Sequence, residues 1–461
     1  MIRMLISAPA SGSGKTAVTC ALLAAMHKRG LFPRAFKCGP DYIDPMFHRT
    51  VLGVESSNLD LFLSDEETLR ARFARGLAGH GAVVCEGVMG LYDGVGGVTD
   101  RASAWHVADT LDLPVILVLR AKGSSLTLAA QLRGLRDFRP DSHIAGVLLN
   151  DCAPMLCRSL KPMLERETGI PVLGCLPHLK EAEFESRHLG LYTPAEIQNL
   201  AERLTVLAEA LERYVDVERL LGLCDDGTAA RAWPAEAARG VPIAVARDEA
   251  FCFTYPETLE ALERAGARPV FFSPLEDRGL PAGACGLYLP GGYPELYAEA
   301  LSANEPMRRA VAEAVRSGMP TVAECGGFLY LGKTLQDAGG AEWPMADVLP
   351  GRGFPAGKLV RFGYGTLSAE SDSLLFRKGE QVPVHEFHYW DSTETGGDLR
   401  MEKPVSGQTW ECGFVTDTLY AAFPHLYFAG TPRLAERLTE AARKYKESHD
   451  GIGDAAEKHR T

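Results

Sequence analysis

The feature that most constrains this chain lies in its first thirty residues. The apolar run Arg3–Ala8 ends in Pro9-Ala10-Ser11-Gly12-Ser13-Gly14-Lys15-Thr16, and a helical pattern, Thr16–Arg29, follows. A bound phosphate needs backbone N–H groups pointed at it, and glycines permit the tight backbone that aims them. The lysine neutralises charge on the β and γ phosphates, the Thr16 hydroxyl suits a Mg²⁺ ion, and the helix N-terminus adds a favourable dipole. On these grounds Gly12, Ser13, Gly14, Lys15 and Thr16 are candidate nucleotide-binding residues. The general pattern wants a glycine five residues before Gly14, where this sequence has Pro9. The required context of strand, loop and helix is present.

The runs that follow extend that context. Arg34–Lys37, Ala82–Glu86, Val115–Leu119 and Ile144–Leu149 are apolar without in/out alternation, and helical stretches such as Leu126–Leu135 separate them. Strands of that kind belong to a parallel sheet covered on both faces. The rhythm breaks at 225–240, a stretch rich in Ala, Gly and charge that reads as a linker. A second series then begins: strand Pro242–Ala246, helix Glu257–Ala265, and strands Pro269–Phe272, Gly286–Leu289 and Thr321–Glu324. Residues 355–425 are dense in aromatic and β-branched side chains and suggest shorter, antiparallel strands. With 461 residues the chain is too long for one ordinary core. The expected organisation is α/β in two domains, 1–224 and 241–445, with a frayed polar tail at 446–461.

Composition excludes some partners. A net charge of −12 argues against nucleic acid and anionic membrane, either of which needs a basic face. A clean apolar run such as Pro114–Leu119 is far too short to span a bilayer, and the N-terminus enters the glycine loop without a signal-peptide core. Eleven scattered cysteines without a CxxC pair suggest a reduced, cytoplasmic chain.

A phosphate loop needs acidic partners for its metal. Glu86 ends a strand, where a Mg²⁺ carboxylate belongs. Asp41 and Asp44 lie in the turn Lys37-Cys38-Gly39-Pro40-Asp41-Tyr42-Ile43-Asp44, and Asp93 follows Glu86 in a Gly-rich loop. By spacing alone such aspartates are more often turn and capping residues than metal ligands.

In the second half, Thr321-Val322-Ala323-Glu324-Cys325-Gly326-Gly327-Phe328 reads as strand, sharp turn and helix. A nucleophile on such a turn stands clear of the sheet, and small neighbours let a carbonyl approach. A helix N-terminus is also expected to lower the thiol pKa. The thiolate needs a base, for which His425 is the candidate and His385 and His388 are rivals. Gly291 and Gly292 follow the strand Gly286–Leu289, and with Gly326 they could turn backbone N–H groups toward a developing oxyanion.

The order of SGSGKT, KCGPDYIDPMFH, CEGVMGLYDG, SRHLGL, ARDEAFCFTYPE, LPGGYPEL, AECGGFLYL and HEFHYW resembles the cobyrinic acid a,c-diamide synthase family over residues 3–440. The resemblance implies a dethiobiotin-synthetase-like P-loop domain joined to a class I glutamine amidotransferase domain. ATP would phosphorylate acetate carboxylates of a corrinoid in cobalamin biosynthesis, and ammonia from L-glutamine would displace the phosphate. Cys325 then matches the nucleophile and His425 its base. Thr16, Asp41 and Glu86 match the Mg²⁺ positions, and Asn150 matches where such folds read adenine. Lys37, Tyr42, Ile43, Asp44 and Asp93 match the region that meets the tetrapyrrole polycarboxylate. Many relatives of the amidotransferase fold carry Glu two residues after the histidine; here that position is Tyr427, which leaves open what orients His425. Two alternatives share these motifs: a nickel sirohydrochlorin a,c-diamide synthase, and a P-loop ATPase with a non-catalytic second domain.

Overall fold

The computed structural model describes residues 1–180, 186–187, 190–191, 199–228 and 240–458. The chain divides into two compact units, Met1–Ala235 and Glu236–Thr461. Residues 229–239 of the stretch read as a linker, and 188–189 of SRHLGL, lie outside the described residues.

In the first unit, seven strands among the described residues form one sheet. They are β1 (Ile2–Ser7), β2 (Pro33–Cys38), β3 (Ser56–Leu59), β4 (Ala82–Glu86), β5 (Val115–Arg120), β6 (Ile144–Asn150) and β7 (Val172–Leu176). Their order is β3-β2-β4-β1-β5-β6-β7, and every pairing is parallel. Ala82–Glu86 is buried at every position, which is why its sequence shows no alternation. Helix α1 (Lys15–Lys28) starts directly after the glycine loop, and α2 (Ile43–Leu52) follows β2. The sequence pattern missed β3. Its residues Ser56, Ser57 and Asn58 are polar yet buried, because they serve hydrogen bonds: Ser56 pairs with His48 Nδ1, and Asn58 Nδ2 donates to the carbonyls of Gly39 and Asp41.

In the second unit a six-stranded sheet has the order 267–272, 241–246, 286–289, 321–324, 419–422 and 414–415; only the last strand runs antiparallel. Alternate residues of its central strands feed two separate cores. Ile243, Tyr288 and Val322 belong to one, and Ala244, Leu289 and Ala323 to the other. A five-stranded antiparallel sheet includes Arg361–Ala369, Gln381–His388 and His425–Leu426, in the aromatic-rich stretch expected to be antiparallel. The last helix runs from Pro432 to Lys458, so most of the stretch expected to be a frayed tail is helical backbone. No helix among the described residues is long and apolar enough to cross a membrane.

Candidate active sites

The first site forms where β1, β2 and β4 end. Gly12 and Gly14 both have positive φ, 74° and 95°, so the loop places glycine where an L side chain is strained. Gly14 also has Asn150 Nδ2 about where a Cβ would sit, 2.0 Å away. Pro9 is absent from the positive-φ positions, which explains why this loop does without a glycine there. Asn150 Nδ2 donates to the Ser13 carbonyl at 2.9 Å and so braces the loop from the end of β6.

Beneath the loop lies a buried cluster of charge. Thr16 Oγ1 donates to Glu86 Oε1 at 2.6 Å and stands 3.5 Å from Asp44 Oδ2. Lys37 Nζ lies 2.5 Å from Asp44 Oδ2 and 2.9 Å from Glu86 Oε1. Burial alone would lift Glu86, but Lys37 and His48 hold its carboxyl well below the usual carboxylate range. Burial and then the Glu86 charge push Asp44 well above that range. Burial would lower Lys37, but Asp44 and Glu86 hold it high. The physical picture is one ammonium between two buried carboxylates, so one carboxylate keeps its charge and the other is driven toward its acid form.

Asp41 lies at the start of α2. Its Oδ1 accepts the Ile43 and Asp44 amides and thereby caps α2. Asp44 approaches Thr16 instead. Tyr42 is the N-cap residue of α2, and Ile43 opens the helix. Asp93 accepts the Gly90 amide at 2.8 Å. Lys15 Nζ donates to the carbonyls of Ala10 and Met89, and burial followed by repulsion from Lys37 lowers it to about 8.

The second site is built around a sharp turn. Cys325 sits between strand Thr321–Glu324 and helix Gly326–Leu331 with φ 47° and ψ −100°. Such a backbone costs on the order of 1–3 kcal/mol in a non-glycine residue and persists only where its surroundings enforce it. The glycines after it are steric necessities: a Cβ at Gly327 would lie 2.1 Å from the Leu289 carbonyl, and one at Gly326 would lie 3.0 Å from the Gly292 nitrogen. Gly291 and Gly292 therefore lie against the start of this helix. A Cβ at Gly291 would meet His425 Cε1 at 2.5 Å, so the imidazole, both glycines and the turn form one constellation.

The electrostatics correct one expectation. Cys325 is not acidified by its helix. Burial first, then the charges of Glu295 and Glu386, push its thiol up, and the Gly326 amide opposes this only in part. A six-residue helix has a weak dipole, and desolvation of a thiolate outweighs it. Burial also lowers His425 to about 3. Burial thus disfavours the charged form of both side chains.

The rival histidines are placed differently. His388 Nδ1 is 2.6 Å from the Trp390 carbonyl, its Nε2 is 2.8 Å from Glu386 Oε1, and its ring stacks on Phe423. His385 lies opposite His425 in the antiparallel ladder. Sequence reasoning missed Glu324, which is fully buried. Its Oε1 accepts the Leu426 amide at 3.0 Å, its Oε2 accepts the Tyr288 hydroxyl at 2.9 Å, and His425 Nδ1 stands 3.8 Å from Oε2. Burial lifts it to about 8 against those two hydrogen bonds. His48, 3.4 Å from Glu86 Oε2, was also missed. A buried acid ending an apolar strand was the available signal for Glu324, as it was for Glu86.

Residues 242–432 match the CobB/CobQ-like glutamine amidotransferase domain, and residues 3–186 match an AAA domain. The chain is similar to the cobyrinate a,c-diamide synthase of Caldanaerobacter subterraneus subsp. tengcongensis, 38% identical over 95% of this chain and 99% of the relative. It is similar to the synthases of that name from Salmonella typhimurium, at 39% identity over 95% of this chain and 98% of the relative, and from Clostridium acetobutylicum, at 37% over 93% and 98%.

Proposed function

The chain belongs to the cobyrinate a,c-diamide synthase family, and we propose that it converts the a and c acetate carboxylates of cobyrinic acid to amides, using ATP and L-glutamine. The observation that carries this reading is the pairing, in one polypeptide, of a glycine loop set over buried carboxylates with a cysteine elbow set against Gly291, Gly292 and His425.

In the first unit, the oxygen donors of Thr16, Glu86 and Asp44 are of the hard type that Mg²⁺ takes, and among the described residues Glu86 Oε2 has His48 Nε2 3.4 Å away and no shorter polar contact. These residues fit the ion, with Asp41 adjacent. When bound, Mg²⁺ would offset charge on the transferring phosphoryl group. The glycine loop and Lys15 hold the triphosphate, and Asn150 steadies the loop near the base. Lys37, Tyr42, Ile43, Asp44 and Asp93 form the acceptor side, where the corrinoid carboxylate attacks the γ-phosphorus. Phosphorylation is needed because a carboxylate cannot expel oxide. The catalytic demand is mainly positioning and charge neutralisation.

In the second unit, Cys325 Sγ attacks the glutamine amide carbon while His425 takes the thiol proton. Backbone N–H groups of Gly291, Gly292 and Gly326 are the candidate donors to the oxyanion. His425 returns the proton to the departing nitrogen, ammonia leaves, and water hydrolyses the thioester to glutamate. The ammonia attacks the acyl phosphate and releases phosphate, which leaves the amide. We place the reaction in the cytoplasm, a reading that the eleven free cysteines support.

The deciding assay presents purified protein with ATP, Mg²⁺ and glutamine to a panel of tetrapyrrole carboxylic acids, read by mass spectrometry. Two acid-to-amide conversions of cobyrinate are expected. Conversion of nickel sirohydrochlorin with none of cobyrinate would select the nickel substrate, and absence of glutaminase activity would favour a P-loop ATPase. Gly291→Ala provides a sharper check of the second unit. Its methyl would lie 2.5 Å from His425 Cε1 and must displace the ring. A displacement of that order costs about 10² in rate, so glutamine-driven amidation should fall by about that factor while ammonium-driven amidation persists.

A further inference from the structure

A base that takes a proton from a buried thiol needs a partner on its other ring nitrogen, to fix the ring and balance the imidazolium charge. Tyr427, two residues after His425, is a phenol rather than an acid. Its ring packs edge-on against Tyr255 at 5.2 Å and 90°, within the core. Among the neighbouring groups, His388 and Glu386 are paired with each other, and His385 is a second imidazole rather than an acid.

Glu324 stands where the partner is needed. It is the residue immediately before the nucleophile, and its side chain reaches the histidine in two ways. Oε1 accepts the N–H of Leu426, the peptide next to His425, at 3.0 Å. Oε2 faces His425 Nδ1 at 3.8 Å and is held there by the Tyr288 hydroxyl at 2.9 Å. One carboxyl group thus ties the backbone of the base to the strand that carries the thiol and faces Nδ1 of the ring. The long Nδ1 to Oε2 separation suits a resting site in which the imidazole is uncharged. Hydrogen bonds of this kind tighten once charge develops. Resting on the amidotransferase reading of Cys325 and His425, we propose that Glu324 is the positioning residue for His425, presenting its carboxyl group to Nδ1 while the imidazole takes the thiol proton.

The side chain does not need to touch glutamine for this role, so its signature is a loss of turnover rather than of substrate binding. The test is Glu324→Gln, which keeps shape and an acceptor for the Leu426 amide but removes the acid facing Nδ1, and with it the ability to ionise as the imidazolium forms. Exchanging the acid of a serine–histidine–aspartate triad for its amide costs about 10⁴; for a partner at 3.8 Å we expect kcat for glutamine hydrolysis to fall by about 10². KM for glutamine should stay within about twofold, and ammonium-driven amidation should persist, as for a defect confined to the glutaminase step. Tyr288→Phe, which frees Oε2 from its tether, should lower the same kcat severalfold and decides the matter if the glutamine variant does not fold. Retention of wild-type kcat by either folded variant, or a rise in KM at constant kcat, overturns the proposal. Cys325→Ala, assayed in parallel, separates the two levels: if it still hydrolyses glutamine, the amidotransferase reading itself fails, whereas an inactive Cys325→Ala beside an active Glu324→Gln removes only the role of Glu324.

Discussion

Replacing Cys325 with alanine is expected to lower glutamine-driven amidation by at least about 10⁴-fold while amidation from added ammonium stays within about twofold of the unaltered chain. The backbone at this position has φ 47° with cysteine, and alanine meets the same strain, so the substitution removes the sulfur and little else. Cys325 is buried at the end of strand Thr321–Glu324, and no other cysteine among the described residues has positive φ. Because burial holds the thiol above its ordinary value and His425 at about 3, a free thiolate is scarce at neutral pH. If His425 takes the thiol proton as proposed, His425→Ala should share the same split between nitrogen donors. The check is paired measurement of amide formation with glutamine and with ammonium chloride, alongside a melting curve. Loss of both activities in a folded Cys325→Ala protein would mean that the residue serves something other than nitrogen release.

The parts of this architecture that were legible in the sequence are those where one physical demand dominates. Strands such as Ala82–Glu86 and Thr321–Glu324 are buried on both faces, so apolar runs mark them. Gly12 and Gly14 need positive φ, and Gly326 and Gly327 need the absence of a Cβ, so glycine spacing marks the two turns. Legibility fails where the demand is three-dimensional. Strand β3 is polar because its side chains answer His48 and the carbonyls of a neighbouring turn. Asp41 and Asp44 are three positions apart in one turn, and only their hydrogen bonds reveal that the first caps a helix while the second meets Lys37 and Thr16. The direction of the Cys325 shift was misjudged because sequence shows the helix N-terminus but not the depth of burial, and burial is the larger effect. Glu324 escaped notice because its partners Tyr288 and Leu426 lie 36 and 102 residues away along the chain.

Lys15→Ala should remove both the glutamine-driven and the ammonium-driven reactions, each by at least about 10³-fold, because it acts on the step they share. The ammonium of Lys15 rests on the carbonyls of Ala10 and Met89, neither of which carries a full charge to hold it. Its cationic form is further disfavoured by burial and by Lys37, which together bring it to about 8. A phosphate oxygen is a stronger acceptor than either carbonyl, so an arriving triphosphate should draw the side chain onto itself and raise its affinity for the proton. The sign of the pH dependence follows. Below about 8 the free site already carries the charge that a triphosphate needs; above it, binding must also take up a proton. ATP affinity should therefore weaken as the pH climbs from about 7 to about 9, and this slope should flatten in Lys15→Ala. Because removing Lys15 relieves repulsion with Lys37 and leaves the glycine loop braced by Asn150, the melting temperature should shift by only a few degrees. Equilibrium binding of ATP against pH, with both amidation assays on the same preparations, tests the whole chain of reasoning. Undiminished amidation by Lys15→Ala would show that the loop does not hold the phosphoryl donor, and the buried carboxylates beneath it would then need another role.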